Sequence, residues 1–191
     1  MTPVEELRRR ARQQVSDGPV TADYGLNPQE VVHLLNEALA TELVCVLRYK
    51  RHYYMAQGLN ARFAADEFLE HANQEAEHAD RLAGRIVQLG GAPDFNPQTL
   101  VQRSHAQYHA GTDLQEMLYE DLVAERIAIE SYRELVRYLG DRDPTPRRLL
   151  EEILAVEEEH ADDLVDLMTE SSPQHHGQQP HTGQQGRHMH A

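Results

Sequence analysis

EAEHADRL at residues 75–82 and EEEHADDL at residues 157–164 agree at six of eight positions, and this internal repeat is the strongest indication of how the chain folds. Each segment contains a Glu-x-x-His motif, and a lone glutamate precedes the first motif by 33 residues and the second by 32. The complete set is Glu42, Glu75, His78, Glu125, Glu157 and His160. Such a duplicated set of carboxylates and imidazoles predicts a site for two metal ions inside a bundle of four helices.

A third Glu-x-x-His motif, Glu30 to His33, is interpreted as a chance match. Asn27 and Pro28 are typical of a helix start, with Asn27 as the N-cap, Pro28 at the first helical position and Glu30 completing a capping box. His33 precedes Glu42 by nine residues, which places the two about half a turn out of phase on a helix. We therefore exclude His33 from the predicted metal site.

The length and charge of the chain limit the classes of protein to which it can belong. Its 191 residues are enough for one well-packed domain. A formal net charge of −14 argues against nucleic-acid binding by the folded body and favours the attraction of cations. Cys45 is the only cysteine, which excludes an internal disulfide and is compatible with the cytoplasm, the predicted compartment. No apolar run is long enough to predict a signal peptide or a membrane span.

Helix-breaking residues divide the chain into three predicted parts. Residues 1–26 are expected to form an N-terminal arm, residues 27–170 the helical bundle, and residues 171–191 a disordered tail rich in His and Gln. The first two bundle helices are expected at about 27–57 and 60–89. The third is expected to begin near Thr112 or Asp113 and end before Gly140, and the fourth to follow Pro146 and end before Ser171.

The lengths of the connections predict the topology. The first and third connections are only a few residues long, so each must join an antiparallel helix pair. The middle connection, residues 91–112, can span roughly 70 Å at about 3.3 Å per residue, which exceeds the roughly 40 Å length of the second helix. It can therefore cross the bundle and make the second and third helices parallel. The predicted fold is all-α, a four-helix bundle of two antiparallel hairpins joined by a long crossover and related by a pseudo-two-fold axis.

This topology would bring the six candidate ligands together. In each Glu-x-x-His motif the two side chains lie one turn apart on the same helix face. Glu75 and Glu157 can then bridge two ions, while Glu42 and Glu125 take the outer positions. Four carboxylates neutralise two divalent cations, so the buried charges are paired. Oxygen and imidazole ligands without thiolate favour iron or manganese, with zinc as a redox-silent competitor.

Several further residues leave alternatives open. Tyr49 and Tyr132 follow the outer glutamates by seven residues and either hydrogen-bond those carboxylates, supply an electron, or serve only as core residues. Asp121 is either an acceptor beside the site or a surface charge, and Cys45 is interpreted as a small core residue rather than a redox group. The histidines of the tail either bind metal weakly or belong to a flexible segment: His175, His176, His181, His188 and His190.

The segments around the six candidate ligands resemble the bacterioferritin and Dps-like branch of the ferritin superfamily. The resemblance covers about residues 30–168 and includes LNEALATELVCVLRY, EAEHADRLAGRIVQLGGAP, MLYEDLVAERIAIESY and ILAVEEEHADDL. It implies a ferroxidase that oxidises Fe(II) with O₂ or H₂O₂, two iron ions per subunit, and ferric mineral stored in a hollow shell. By position, it implies that all six residues are ligands and that Tyr49 is the tyrosine near the centre.

The sequence departs from the family pattern at the haem-binding position and after the fourth helix, and these departures bear on haem binding and on the size of the shell. Bacterioferritin binds haem through a methionine directly after the Glu of the first motif, and Ala76 at that position implies that haem is absent here. The tail has no counterpart of the short fifth helix of 24-subunit ferritins. An arm before the bundle and nothing folded after it is more like the Dps-like cages, so we expect a dodecamer rather than a 24-mer.

Two other functions compete with iron storage. A di-manganese or di-iron catalase or peroxidase would use similar ligands, but rubrerythrins add a Cys-rich domain that a single cysteine excludes, and manganese catalases are typically longer. A Dps-like protein that protects DNA would bind phosphates through the arm, whose arginines are Arg8, Arg9, Arg10 and Arg12. Glu5 and Glu6 precede those arginines and the body is acidic, so DNA binding is not favoured.

Overall fold

The computed structural model describes residues 1–21, 24–58 and 61–171 of the chain. Within these ranges the regular structure is helical and contains no strand: α1 Val4–Gln13, a 3-10 turn at Val15–Asp17, α2 Pro28–Met55, α3 Arg62–Gln88, α4 Leu100–Arg103, α5 Leu114–Leu139 and α6 Pro144–Ser171. The all-α prediction is therefore confirmed. From residue 172 onward, the predicted disordered tail and its five histidines lie outside the described residues.

The ends of the long helices follow from local sequence. The Asn27 side chain accepts a hydrogen bond from the backbone N–H of Gln29 at 3.0 Å, and Pro28 opens α2. Asp113 caps α5 in the same way, accepting from the backbone N–H of Glu116 at 3.0 Å. Gly140, with φ at 51°, ends α5 in a conformation that favours glycine.

The topology is the predicted one. Helices α2 and α3 pack together as one hairpin, and α5 and α6 pack together as the other. The crossover between α3 and α5 contains α4, a single turn that packs against α2 and that the sequence did not predict. The four-helix bundle with a long crossover is therefore confirmed. No helix within the described ranges is both long and apolar enough to cross a membrane.

The two larger clusters of the apolar core have polar residues between them. The first cluster includes Leu39, Leu82 and Ile153, and the second includes Phe68 and Leu118. Along each of the four long helices, the predicted ligands fall between residues of the first cluster and residues of the second. The polar centre is thus enclosed by apolar packing at both ends, which keeps water away from it.

The arm is attached to the bundle after α1. The Tyr24 hydroxyl donates a hydrogen bond to the Asp143 carboxylate, which also accepts from the Arg85 guanidinium at 3.1 Å. Val20 and Leu26 pack against the first apolar cluster. The division into an arm at 1–26 and a bundle at 27–170 stays a prediction.

Asp121 holds the crossover against the bundle. Its carboxylate is fully buried, accepts a hydrogen bond from Nε of Arg48 at 2.6 Å, and lies 2.7 Å from Nδ1 of His52. Arg48 also donates to the carbonyl of Gln107 at 3.0 Å, and Nε2 of His52 lies 3.1 Å from the carbonyl of His109. The surface-charge interpretation of Asp121 is wrong, because the carboxylate joins α5 to α2 and, through Arg48 and His52, to the crossover.

Candidate metal centre

The four long helices bring the six predicted residues together in the middle of the bundle. None of the six is more than 3% exposed. They form two overlapping groups in which the candidate ligand atoms lie within 4.8 Å of one another. One group contains Glu42 and His78, the other contains Glu125 and His160, and both contain Glu75 and Glu157. We call the first pair the His78 half, the second pair the His160 half, and the two common residues the shared carboxylates.

Each shared carboxylate presents one oxygen to each half. Nδ1 of His78 lies 3.3 Å from Oε2 of Glu75 and 3.0 Å from Oε1 of Glu157. Nδ1 of His160 lies 3.6 Å from Oε1 of Glu75 and 3.5 Å from Oε2 of Glu157. The outer glutamates complete the halves, with Oε2 of Glu42 at 3.3 Å from Nδ1 of His78 and Oε2 of Glu125 at 3.9 Å from Nδ1 of His160. This arrangement is suited to two ions bridged by two carboxylates.

Two tyrosines hold the outer glutamates, each from the opposite hairpin. The Tyr49 hydroxyl of α2 donates to Oε1 of Glu125, and the Tyr132 hydroxyl of α5 donates to Oε1 of Glu42. Both tyrosines are buried. The hydrogen-bonding interpretation of these residues is confirmed. Because each tyrosine contacts Oε1, the Oε2 atom of each outer glutamate remains to face the centre.

Without a cation, bound protons offset the negative charge of the centre. Burial, with the neighbouring charge of Glu75, raises the pKa of Glu42 to about 8, and burial also raises the pKa of Glu125 well above its usual range. Although burial opposes it, contacts with glutamates raise the pKa of His78 to about 12 and that of His160 to about 9. The cluster therefore retains protons that bound cations would displace.

Unpaired atoms at the centre fit metal ions. Among the described residues, buried side-chain atoms without a hydrogen-bond partner include Oε1 of Glu75, Oε2 of Glu125, both carboxylate oxygens of Glu157 and Nδ1 of His160. Oε1 of Glu157 lies close to His78, but not in hydrogen-bonding geometry. Buried polar atoms are normally paired, so acceptors that converge in this way indicate cation ligands.

Two neighbours of His160 were not predicted from the sequence. Oε1 of Gln74 lies 2.6 Å from Nε2 of His160, so the ring donates through Nε2 and leaves Nδ1 for the centre. His71 stacks on His160 with ring centroids 3.9 Å apart, and burial lowers the pKa of His71 to about 3. His71 stands four residues before Glu75, a spacing that places both on one helix face. That spacing is a signal in the sequence that could have identified His71 as a neighbour of the centre.

The remaining candidates lie away from the centre or serve the core. The His33 side chain is 71% exposed and lies 3.5 Å from Glu37, so its exclusion from the site is confirmed. Cys45 is buried in the second apolar cluster, as its core interpretation predicts.

In the arm, Arg8 and Arg9 form ion pairs with Glu5 and Glu6.

Known proteins resemble this chain in sequence and in fold. The sequence model of the ferritin-like domain family matches residues 32–171. Bacterioferritin of Brucella melitensis biotype 1 is 34% identical over 155 residues, which cover 78% of this chain and 91% of that protein. A nutrient stress-induced DNA-binding protein of Synechococcus sp. is 33% identical over 144 residues, which cover 72% of this chain and 80% of that protein. A dodecameric thioferritin, the bacterioferritin-related protein of Bacteroides fragilis, superposes with a TM-score of 0.73 at 27% identity, covering 87% of this chain and 94% of that structure.

Proposed function

This chain belongs to the ferritin-like family, and from that premise we propose that it is a ferroxidase that stores iron. It would oxidise Fe(II) with O₂ or H₂O₂ at a dinuclear centre within each subunit and keep the ferric product as mineral inside an oligomeric shell. The observation that carries the proposal is that each shared carboxylate turns one oxygen towards each histidine. Two Fe(II) ions held side by side can together donate the electron pair that reduces one peroxide, with two protons, to two molecules of water.

The proposal gives each residue of the centre a role. Glu75 and Glu157 would bridge the two ions, and the outer glutamates and the histidines would each bind one: Glu42, His78, Glu125 and His160. Tyr49 and Tyr132 would hold the outer carboxylates in place through their hydrogen bonds. Ala76 offers no side-chain ligand to a haem, and we propose that none is bound. Manganese fits the same oxygen and nitrogen donors, so the proposal of iron rests on the family.

The test is aerobic addition of Fe(II) to metal-free protein, followed by absorbance and by oxidant consumption. A Glu75→Ala/Glu157→Ala variant is compared with Glu77→Ala/Glu159→Ala, which removes two exposed carboxylates from the same helices. We expect rapid oxidation that saturates at about two irons per chain in the unaltered protein and in the control, followed by growth of a soluble ferric core. Unchanged initial rates in the first variant would overturn the proposal. Sustained H₂O₂ consumption by manganese-loaded protein, with no ferric core, would favour a catalase instead.

We also propose that the shell is a homododecamer. The Bacteroides fragilis protein is described as dodecameric, and this chain covers most of that structure. Light scattering of the purified protein should give the mass of twelve chains of 21.8 kDa, whereas a 24-mer would give twice that mass.

DNA binding is a second candidate function because one relative is a DNA-binding protein. The arm arginines would be the contact, but ion pairs with Glu5 and Glu6 reduce the positive charge that Arg8 and Arg9 offer to phosphates. A gel shift at physiological salt, with and without residues 1–16, tests this function. We expect no shift by either protein, and a shift that depends on residues 1–16 would assign the function to the arm.

A further inference from the structure

A second group of candidate ligands lies beside the dinuclear centre and is not used by it. Glu67 and His71 stand one turn apart on α3, and Asp163 faces them from α6. Nε2 of His71 lies 3.5 Å from Oδ2 of Asp163 and 3.8 Å from Oε2 of Glu67. One ligand atom from each of the three residues lies within 4.8 Å of the other two.

His71 is the buried, unpartnered member of this group. The residue is 1% exposed, and neither ring nitrogen has a hydrogen-bond partner among the described residues. Buried polar side chains are normally paired, and an imidazole nitrogen that lies between two carboxylates is placed to bind a metal ion. The side chains of Glu67 and Asp163 are 39% and 46% exposed, so an ion can reach them from solvent.

We propose that Glu67, His71 and Asp163 form a third metal site, which binds a single divalent transition-metal ion. One imidazole and two carboxylates are donors that Fe(II), Mn(II), Co(II) and Zn(II) accept, and water completes the coordination. The two carboxylates balance the charge of the ion. Because the site is partly open, its ion exchanges with solvent more readily than the ions of the enclosed centre.

The site adjoins only one half of the dinuclear centre. The His71 ring stacks on the His160 ring, and Nδ1 of His160 faces the shared carboxylates. The third ion would therefore lie on the solvent side of the His160 half. In the other repeat, the positions equivalent to the three ligands carry Leu149, Ile153 and Arg81, which offer no comparable donor set. The part of the chain that the structure describes thus has one such site, and the expected total for that part is three ions rather than four.

Zinc is a suitable probe because it accepts these donors and undergoes no redox chemistry. Equilibrium dialysis of the assembled protein against Zn(II) compares Glu67→Gln/Asp163→Asn with Asp66→Asn/Asp162→Asn. The control removes the same charge from exposed neighbouring positions. Both variants retain the tail histidines, whose contribution therefore cancels. We expect the first variant to bind one ion per chain fewer than the control, and equal binding would overturn the proposal.

Anomalous diffraction from zinc-soaked crystals of the unaltered protein provides an independent test. We expect a peak between His71, Glu67 and Asp163 in addition to the peaks at the dinuclear centre. A filled dinuclear centre with no density at the third position would refute the proposal. The proposed ferroxidase function is not tested by either experiment, because zinc binding to the third site requires no oxidation and none of the six residues is altered.

Discussion

The His78 half and the His160 half are equivalent in the residues that face the metal ions but differ one turn away. Every candidate ligand of one half has a counterpart in the other, as do the two tyrosines. The positions of Gln74 and His71, however, correspond to Val156 and Ile153 in the second repeat. His160 therefore has a hydrogen-bond acceptor and a stacked ring, whereas the equivalent positions offer only apolar side chains.

Two metal positions with the same set of ligands are therefore not equivalent in this bundle. Nε2 of His160 is held by an amide, which fixes the tautomer and the orientation of the ring. The His160 half also adjoins the proposed third site, where Arg81 in the other repeat would repel a cation. We expect the two halves to bind and exchange ions differently.

The largest effect is expected where the halves are joined. Glu75→Gln and Glu157→Gln each remove a shared carboxylate, so each should slow the initial oxidation of Fe(II) by on the order of 100-fold or more, since loss of outer partners alone costs about 10- to 100-fold. Stopped-flow absorbance measures this rate. If either variant kept half of the rate with one ion bound per chain, the bridging role of that residue would be wrong.

A smaller effect should separate the halves. Gln74→Val introduces the residue type that stands at the equivalent position of the second repeat, and we expect metal affinity to fall by about 10-fold because the His160 ring loses its acceptor. Gln74→Glu retains an acceptor and should preserve binding. Competition with a chelator measures the affinity, and Val156→Gln on the other half is the matched control with little expected change. Equal losses from Gln74→Val and Val156→Gln would mean that the halves are not distinguished by this contact.

The tyrosine contacts should affect both halves equally. Tyr49→Phe and Tyr132→Phe each remove one buried hydrogen bond to an outer glutamate, so each should cost about 1 kcal/mol of stability. For a chain of this size, that corresponds to a melting temperature about 2–4 °C lower. Thermal unfolding of the metal-loaded protein measures the shift. A much larger shift for one variant would show that the tyrosines are not equivalent.

The smallest effect concerns the motif outside both halves. His33→Ala removes an exposed side chain from the third Glu-x-x-His motif, and we expect metal stoichiometry to stay unchanged and stability to change by less than about 0.5 kcal/mol. Equilibrium dialysis and thermal unfolding measure these quantities. Loss of a bound ion in this variant would show that His33 is a metal ligand.

The sequence predicts the fold and the residues of the centre because both follow from spacing along helices. The caps at Asn27 and Asp113, the breakers and the long crossover are local signals, and the repeat fixes which faces meet. The contact between Gln74 and His160 joins α3 to α6, and no spacing within one segment encodes it. The single turn α4 was missed because four residues are too few for a periodic pattern.

The burial of Asp121 could not be predicted for the same reason, because it depends on contacts between helices. In the sequence it is one of many acidic residues, and its partners Arg48 and His52 lie 73 and 69 positions away. Only the packing of α5 against α2 brings them together. His71 was within reach of sequence reasoning, since its spacing from Glu75 and His78 places it on the ligand face. Only the fold brings Asp163, on another helix, to 3.5 Å from its Nε2.

The buried pair of Arg48 and Asp121 also has a consequence for how the chain folds. The contacts within each hairpin are closer in sequence than those between the hairpins, so we expect them to form first. The docking of one hairpin on the other must also close the long crossover loop. A docking displaced by one helical turn would leave Arg48 or Asp121 buried without its partner, at a cost of about 3–5 kcal/mol. We expect this penalty to reject misaligned encounters, so that the two hairpins settle in the one register that places Glu42 opposite Glu125.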